Sequence, residues 1–114
     1  MRIFLIRHAR SEANKNKAIL LHTADHAVQI DPDRTEEAVI AGKFLNKYFD
    51  ENYLYARRSR MWISPYMRTR QTANLVHNQM SSDETILDRR EHILLCEQQF
   101  GLFNVAKKRF CRMA

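Results

Sequence analysis

The most constraining feature of the sequence is a short apolar run near the N-terminus that ends abruptly in polar residues. Residues 2–6 read RIFLI and are followed at once by Arg7, His8 and Arg10. The apolar residues are continuous rather than alternating, which is typical of a strand covered on both faces of a parallel sheet. The sequence therefore predicts a first strand at residues 2–6, with a basic cluster at its carboxyl end.

A helix is predicted over residues 34–49. Apolar residues recur there at helical spacing, and Asp33 with Glu36 forms a start that resembles a capping box. Residues 15–31 are mixed in composition and predict loops.

A second strand and a second helix follow the same order. Residues 60–63 read as a strand, and Ser64 is a good N-cap for a helix from Pro65 to about Met80. Residues 81–90 predict a polar turn. Alternating strands and helices favour the α/β class, here as a partial three-layer parallel sheet with flanking helices.

Composition narrows the classes of function. The chain has 114 residues, enough for one domain, and a net charge of +6 that favours anionic partners such as phosphorylated molecules, nucleic acid or a membrane surface. Two glycines cannot build a P-loop or a GxGxxG turn. The two cysteines lack metal-site spacing and predict reduced thiols. With no apolar run near 20 residues and no signal peptide, the expected location is cytoplasmic.

Two basic clusters each follow a predicted strand. The first holds Arg7 and His8, and the second places Arg68 and Arg70 in the first turns of a helix. Cations are unfavourable at a helix N-terminus unless an anion lies there, so the arginines either extend into solvent or bind an anion. In a parallel sheet both clusters lie at one edge, and Arg7, His8 and Arg68 are predicted to converge on one anion.

Other candidate residues carry weaker signals. Glu97 lies among apolar residues, where burial raises a carboxyl pKa toward general-acid work, although a lone Glu is usually solvated. His22 and His26 are four residues apart, but no third ligand is fixed and no metal site is predicted. The basic runs at residues 57–60 and 107–112 lack a nucleic-acid motif, so nucleic-acid binding is not favoured.

Four segments together resemble the histidine phosphatase superfamily, which includes phosphoglycerate mutases. Residues 5–14, LIRHARSEAN, resemble its RHG signature, and residues 64–73, SPYMRTRQTA, resemble its SPxxRxxQTA block. Residues 97–101, EQQFG, and residues 41–45, AGKFL, resemble two further blocks. The match runs from residue 2 to about residue 104.

The resemblance implies a role for each matching residue. His8 is expected to attack phosphorus and become a phosphohistidine, and Arg7 and Arg68 are expected to clamp the phosphoryl oxygens. Asn14 is expected to line the pocket, and Glu97 to protonate the leaving oxygen. No metal, nucleotide or other cofactor is implied.

The resemblance also has departures. The glycine that follows the family's nucleophile is Ala9 here, and no residue matches the family's second catalytic histidine. We therefore expect a truncated domain at residues 1–104 and a basic tail of unclear origin at 105–114, with self-association through an open sheet edge.

Two functions are favoured on this basis, and a basic nucleic-acid binder, which only the net charge supports, is a third and least favoured alternative. The first is a weak phosphatase or mutase acting on a phosphorylated small molecule or phosphopeptide. The second is an inactive phosphate-binding fragment or interaction module.

Overall fold

The computed structural model describes residues 1–80 and 87–96. Its helices and strands, in chain order, are α1 (Glu12–Lys15), α2 (Thr35–Glu51), β1 (Ser59–Ile63), α3 (Met67–Gln79) and β2 (Leu87–Glu91). Short 3-10 helices lie between them at Lys17–Leu21, Asp25–Ala27, Pro32–Arg34, Leu54–Ala56 and Ile93–Leu95.

The two strands form a parallel pair joined through α3. Ser59 lies opposite Leu87 and Ile63 lies opposite Glu91, so the pairing extends along both strands without a bulge. A parallel pair needs a crossover connection, which α3 supplies. The predicted α/β class is thus confirmed for the part of the chain that the structure describes.

The core lies where α2 packs against α3 and against the loop that precedes α1. It is built of buried apolar side chains from these three and from the segment between α1 and α2: Ala9, Ile30, Ala38, Leu45, Phe49, Val76 and Met80. The two helices approach closely at Gly42. A Cβ atom there would lie 2.7 Å from the Val76 carbonyl oxygen and 2.8 Å from the Gln79 Cβ, so this contact requires a residue without a side chain.

Both long helices are present where the periodicity predicts them, but their starts differ. Helix α2 begins at Thr35 with no side-chain cap, because Asp31 instead accepts a hydrogen bond from the Asp33 amide and caps the preceding 3-10 turn. The predicted capping box of Asp33 and Glu36 is therefore wrong. The 3-10 turn at Pro32–Arg34 leads directly into α2, so the side-chain cap is made by Asp31, at the start of that turn.

The start of α3 also shifts, and Ser64 is not its N-cap. The Ser64 hydroxyl accepts a hydrogen bond from the Tyr66 amide at 3.4 Å, and Tyr66 is the residue that precedes the helix. A serine hydroxyl that bonds the backbone two residues on forms a local turn. The helix therefore begins two residues later than Pro65.

The strand predicted at residues 2–6 is not formed. These residues have no regular secondary structure, and the side chains of Ile3 and Leu5 are largely exposed. Phe4 makes ring contacts with Tyr48 and Phe49 of α2, with centroids 5.3 and 5.8 Å apart. Contact with one helix covers a single face, whereas a continuous apolar strand requires both faces to be covered.

Strand β2 lies partly within the polar turn predicted at residues 81–90. Its sequence, LDRRE, has one half-buried apolar residue, and the others are exposed. Polar contacts hold it instead: Arg89 donates to Asn74 at 2.8 Å and Arg60 lies 3.4 Å from Asp88. A search for apolar runs misses a strand of this kind, because four of its five residues are charged. Exposed charges of this kind are typical of a strand at the edge of a sheet.

None of the helices within residues 1–80 and 87–96 is both long enough and apolar enough to cross a membrane.

The close contact at Gly42 gives a first test of the helix pair. Gly42→Ala is expected to destabilise the protein by about 1–3 kcal/mol, because the added methyl forces α2 and α3 apart although alanine favours a helix. Urea unfolding measures the effect. Lys43→Ala, at the exposed neighbouring position, is the control and should lie within about 0.5 kcal/mol of the wild type. Equal stability of both variants would contradict the packing described.

Candidate anion-binding site

A pocket of about 350 Å³ lies beside the loop that precedes α1. It is lined by Arg7, His8, Arg10, Asn14 and Glu37. Three of these side chains, Arg7, His8 and Asn14, are ones the sequence predicts for the site, and the structure brings them together. Within the described residues, the guanidinium groups of Arg7 and Arg10 make no hydrogen bond or ion pair with protein.

The loop that carries His8 is fixed to α3 through one hydroxyl group. The buried Ala9 amide donates to the Thr72 Oγ1 at 3.0 Å, and that hydroxyl donates to the Arg68 carbonyl oxygen at 2.8 Å. A buried amide must find a partner, and Thr72 supplies it. His8 is thereby held next to the first turns of α3, where the sequence predicts the two basic clusters to meet.

A second set of bonds holds the other side of this loop. The Asp31 amide donates to the Arg10 carbonyl oxygen at 2.7 Å, and Ser11 pairs with Ile30 in an isolated antiparallel bridge. The Ile30 amide donates to the Gln71 side chain at 2.8 Å. Gln71 and Thr72 are neighbours on α3, so one stretch of that helix positions both segments.

The hydrogen bonding of His8 defines which ring nitrogen is free. Its Nδ1 lies 2.7 Å from the Ala9 carbonyl oxygen. A carbonyl oxygen can only accept, so Nδ1 carries the proton and, in the neutral ring, Nε2 holds a lone pair. The half-buried imidazole therefore presents a nucleophilic nitrogen, and the ring is oriented by the backbone of the residue that follows it.

Asn14 is oriented in the same manner. Its Oδ1 accepts from both the Ser11 amide and the Ser11 hydroxyl, at 2.9 and 3.0 Å. The Asn14 backbone amide donates back to the Ser11 hydroxyl, which completes a reciprocal cap on α1. With the carbonyl oxygen occupied in this way, the side-chain NH₂ group is the part of Asn14 that is left to donate to an anion.

Arg68 is not among the residues that line the pocket. Its side chain is about 5% exposed, and its Nη1 donates to the carbonyl oxygen and the carboxylate of Asp25, at 2.7 and 3.1 Å. Its guanidinium also lies over the Tyr66 ring, 4.9 Å from the centroid. The structure thus brings the backbone of Arg68 to the His8 loop, while its side chain contacts the 3-10 turn at Asp25–Ala27.

Arg70 likewise has a carboxylate partner. Its Nε and Nη2 donate to the two oxygens of Glu91 at 2.8 and 2.9 Å, which joins the start of α3 to the end of β2. This hydrogen bond lowers the pKa of Glu91 and raises that of Arg70, and the attraction between the charges adds to both shifts. The cations at the start of α3 are therefore compensated by protein carboxylates rather than by solvent.

The remaining sequence candidates lie away from the pocket or outside the described residues. Glu97, predicted to be the general acid, lies outside residues 1–80 and 87–96, as does the basic run at 107–112. His22 and His26 are exposed. In the described ranges, no group of three or more His, Cys, Asp or Glu side chains is placed to hold a metal ion.

The sequence analysis assigns no role in the site to four residues that shape it. Glu37 and Arg10 line the pocket, Asp25 binds Arg68, and Thr72 fixes the His8 loop. Thr72 belongs to the block that resembles a known family, so a signal for it was present. Asp25 lies in a segment without a motif, Glu37 stands where the resembling family often carries glutamine, and the tertiary contacts reveal the role of each in the site.

The chain is similar to two phosphoglycerate mutase-like proteins of Arabidopsis thaliana. It is 32% identical to one of them over 108 residues and 30% identical to the other over 115 residues, and each alignment covers 94% of the chain. The alignments cover 34% and 39% of those proteins, so the chain spans little more than a third of their length. No family model and no solved structure matches the chain.

Thr72→Val tests the bond that fixes the His8 loop. The substitution keeps the shape but leaves the buried Ala9 amide without a partner, which is expected to cost about 1–3 kcal/mol of stability. Thermal or urea unfolding measures this cost. Thr69→Val, three residues earlier on α3, changes the same group and should stay within about 0.5 kcal/mol of the wild type. A Thr72→Val variant as stable as Thr69→Val would argue against the bond.

The Arg70–Glu91 pair predicts a pH dependence. The folded pKa of Glu91 lies below its ordinary value of 4.5, so the pair adds stability above that value and loses it as the pH falls through the folded pKa. From about pH 6 to about pH 3, the wild type should lose more stability than Glu91→Gln. Glu36→Gln, on the exposed face of α2, should follow the wild type. Parallel curves for Glu91→Gln and the wild type would refute the pair.

Proposed function

We propose that the pocket binds the phosphoryl group of a phosphomonoester and that His8 attacks it to form a phosphohistidine. The observation that carries this proposal is the bond from the His8 Nδ1 to the Ala9 carbonyl oxygen, which leaves a lone pair on Nε2. His8 lines a pocket together with Arg7 and Arg10, whose guanidinium groups have no hydrogen-bond or ion-pair partner within residues 1–80 and 87–96. The similarity to phosphoglycerate mutase-like proteins supports the same assignment.

The proposed reaction has two steps. In the first, the His8 Nε2 attacks phosphorus, a P–N bond forms, the P–O ester bond breaks, and the leaving oxygen takes up a proton. Arg7 and Arg10 stabilise the charge on the phosphoryl oxygens, and the side-chain NH₂ group of Asn14 donates to one of these oxygens. In the second, a water molecule that gives up a proton attacks phosphorus, a P–O bond forms as the P–N bond breaks, phosphate leaves, and His8 is restored. Transfer to another hydroxyl instead would give a mutase.

The donor of the proton to the leaving oxygen is proposed from the resemblance to the histidine phosphatase superfamily. Glu97 is the proposed general acid in the first step and general base in the second. Arg68 is the proposed second clamp on the phosphoryl group. To reach it, the Arg68 side chain would exchange its contacts with Asp25 for contacts with the anion. The proposed substrate class is a phosphorylated small molecule or a phosphopeptide.

A second candidate function is phosphate binding without turnover. The observation that favours it is the engagement of Arg68 by Asp25, which keeps this guanidinium out of the pocket. Arg7, Arg10 and Asn14 would then hold an anion that His8 does not attack. Under this alternative the protein is an interaction module for phosphorylated partners.

Phosphorylation of His8 separates the two functions. Incubation with phosphoramidate, a chemical donor that phosphorylates histidine, is expected to give an acid-labile phosphoprotein visible by ³¹P NMR. His8→Ala should remove the phosphohistidine that forms fastest, leaving only the slow reaction of exposed histidines, and His22→Ala, which removes an exposed histidine, should retain the fast signal. Anion binding without this signal supports the second candidate. A signal that forms as fast in His8→Ala as in the wild type would overturn the assignment of the nucleophile.

Arg7→Ala tests the phosphate contact itself. Loss of one charge-assisted hydrogen-bonding group is expected to weaken inorganic phosphate binding by about tenfold to 100-fold. Isothermal titration with phosphate measures the affinity. Arg57→Ala, an exposed arginine on the loop before β1, is the control for a loss of net charge. Equal affinities for the two variants would show that phosphate does not bind at this pocket.

A further inference from the structure

The wall of the pocket contains a carboxylate that phosphate binding does not require. The Glu37 Oε2 accepts a hydrogen bond from the Arg10 backbone amide at 3.2 Å, and its Oε1 lies 4.0 Å from the Arg34 Nη1. The backbone bond ties the carboxylate to the loop that carries His8. About half of the side chain remains exposed, so the group is open to a bound molecule.

The charges in the pocket separate into two kinds. Arg7 and Arg10 are cationic and suited to the phosphoryl oxygens, whereas Glu37 is the only acidic side chain among the lining residues that the structure describes. A carboxylate repels the oxygens of a phosphoryl group, so Glu37 is unsuited to bind them directly. A molecule bound with its phosphoryl group near Arg7 and His8 would therefore place another part near Glu37.

We propose that Glu37 determines specificity, and that the site selects phosphomonoesters whose alcohol part carries an ammonium or hydroxyl group close to the phosphate. An ammonium group gains from the nearby negative charge and a hydroxyl donates to it, while a carboxylate on the substrate is repelled. This inference rests on the proposed function, because it assumes that the phosphoryl group binds at Arg7 and His8.

Glu37 could instead act only as a structural link between α2 and the His8 loop. Loss of such a link would weaken binding of every phosphomonoester by the same factor, whatever the charge of its alcohol part. A specificity role changes the ratio of affinities for two esters of opposite charge. The ratio therefore separates the two roles, and a change in overall affinity does not.

Phosphoethanolamine and phosphoglycolate form a suitable pair of probes. Both are small two-carbon phosphomonoesters, and they differ in carrying an ammonium or a carboxylate group. Titration of the full chain, followed by ³¹P chemical shifts or calorimetry, gives both affinities. Glu37→Gln retains an oxygen that accepts from the Arg10 amide, so it removes the charge while keeping the loop contact. Glu36→Gln removes the same charge one position earlier on α2, outside the pocket.

The informative quantity is the ratio of the phosphoethanolamine affinity to the phosphoglycolate affinity, whose absolute value also reflects the cations Arg7 and Arg10. Glu37→Gln should reduce that ratio on the order of fivefold, because it removes an attraction and a repulsion that are each modest at an exposed site. Glu36→Gln should leave the ratio unchanged. If both variants change the ratio equally, or Glu37→Gln leaves it unchanged, the specificity role is overturned.

Arg7→Ala distinguishes failure of this inference from failure of the proposed function. In one outcome, both esters bind the wild type and both lose affinity in Arg7→Ala, but Glu37→Gln leaves the ratio of the two affinities unchanged. The proposed phosphate site then stands, and the specificity role of Glu37 is wrong. Where neither ester binds the wild type, or binding is unaffected by Arg7→Ala, the proposed function fails, and the specificity assignment falls with it.

Discussion

The site depends on the Thr72 hydroxyl, which accepts from the Ala9 amide and donates to the Arg68 carbonyl oxygen. This group connects the loop that carries His8 to the first turns of α3, two segments that are more than 60 residues apart in sequence. Because the Ala9 amide is buried, the connection cannot be replaced by solvent without disturbing the core. The position of the His8 loop beside the first turns of α3 follows from it.

Electrostatic compensation is the second organising feature. Arginines at the start of a helix are unfavourable by themselves, and here Asp25 and Glu91 provide the negative charge for Arg68 and Arg70. Arg7 and Arg10 have no such partner within the described residues, so the cationic character of the pocket resides in them. The protein thus neutralises the arginines of α3 internally and leaves those of the His8 loop available to an anion.

The α/β class, both long helices and β1 could be predicted from sequence, because each rests on local periodicity. Strand β2 could not, since its exposed charges carry no apolar pattern. The strand predicted at residues 2–6 is absent because only one face of this segment is covered. An apolar pattern does not reveal whether a second covering layer exists, so the sequence could not show this. At the site, Arg7, His8 and Asn14 follow from the motif, whereas the pairing of Arg68 with Asp25 and the position of Glu37 depend on contacts distant in sequence. The role of Glu97, which lies outside the described residues, stays a prediction.

The central claim is that His8 presents a free Nε2 to an anion held in its pocket. Two-dimensional ¹H–¹⁵N NMR of the imidazole nitrogens tests it most directly, with assignment by comparison with His8→Ala. The bond to the Ala9 carbonyl oxygen predicts that the ring in its neutral form carries its proton on Nδ1, and that the Nε2 resonance shifts when inorganic phosphate is added. A ring protonated at Nε2, with nitrogen resonances that do not respond to phosphate, would contradict it.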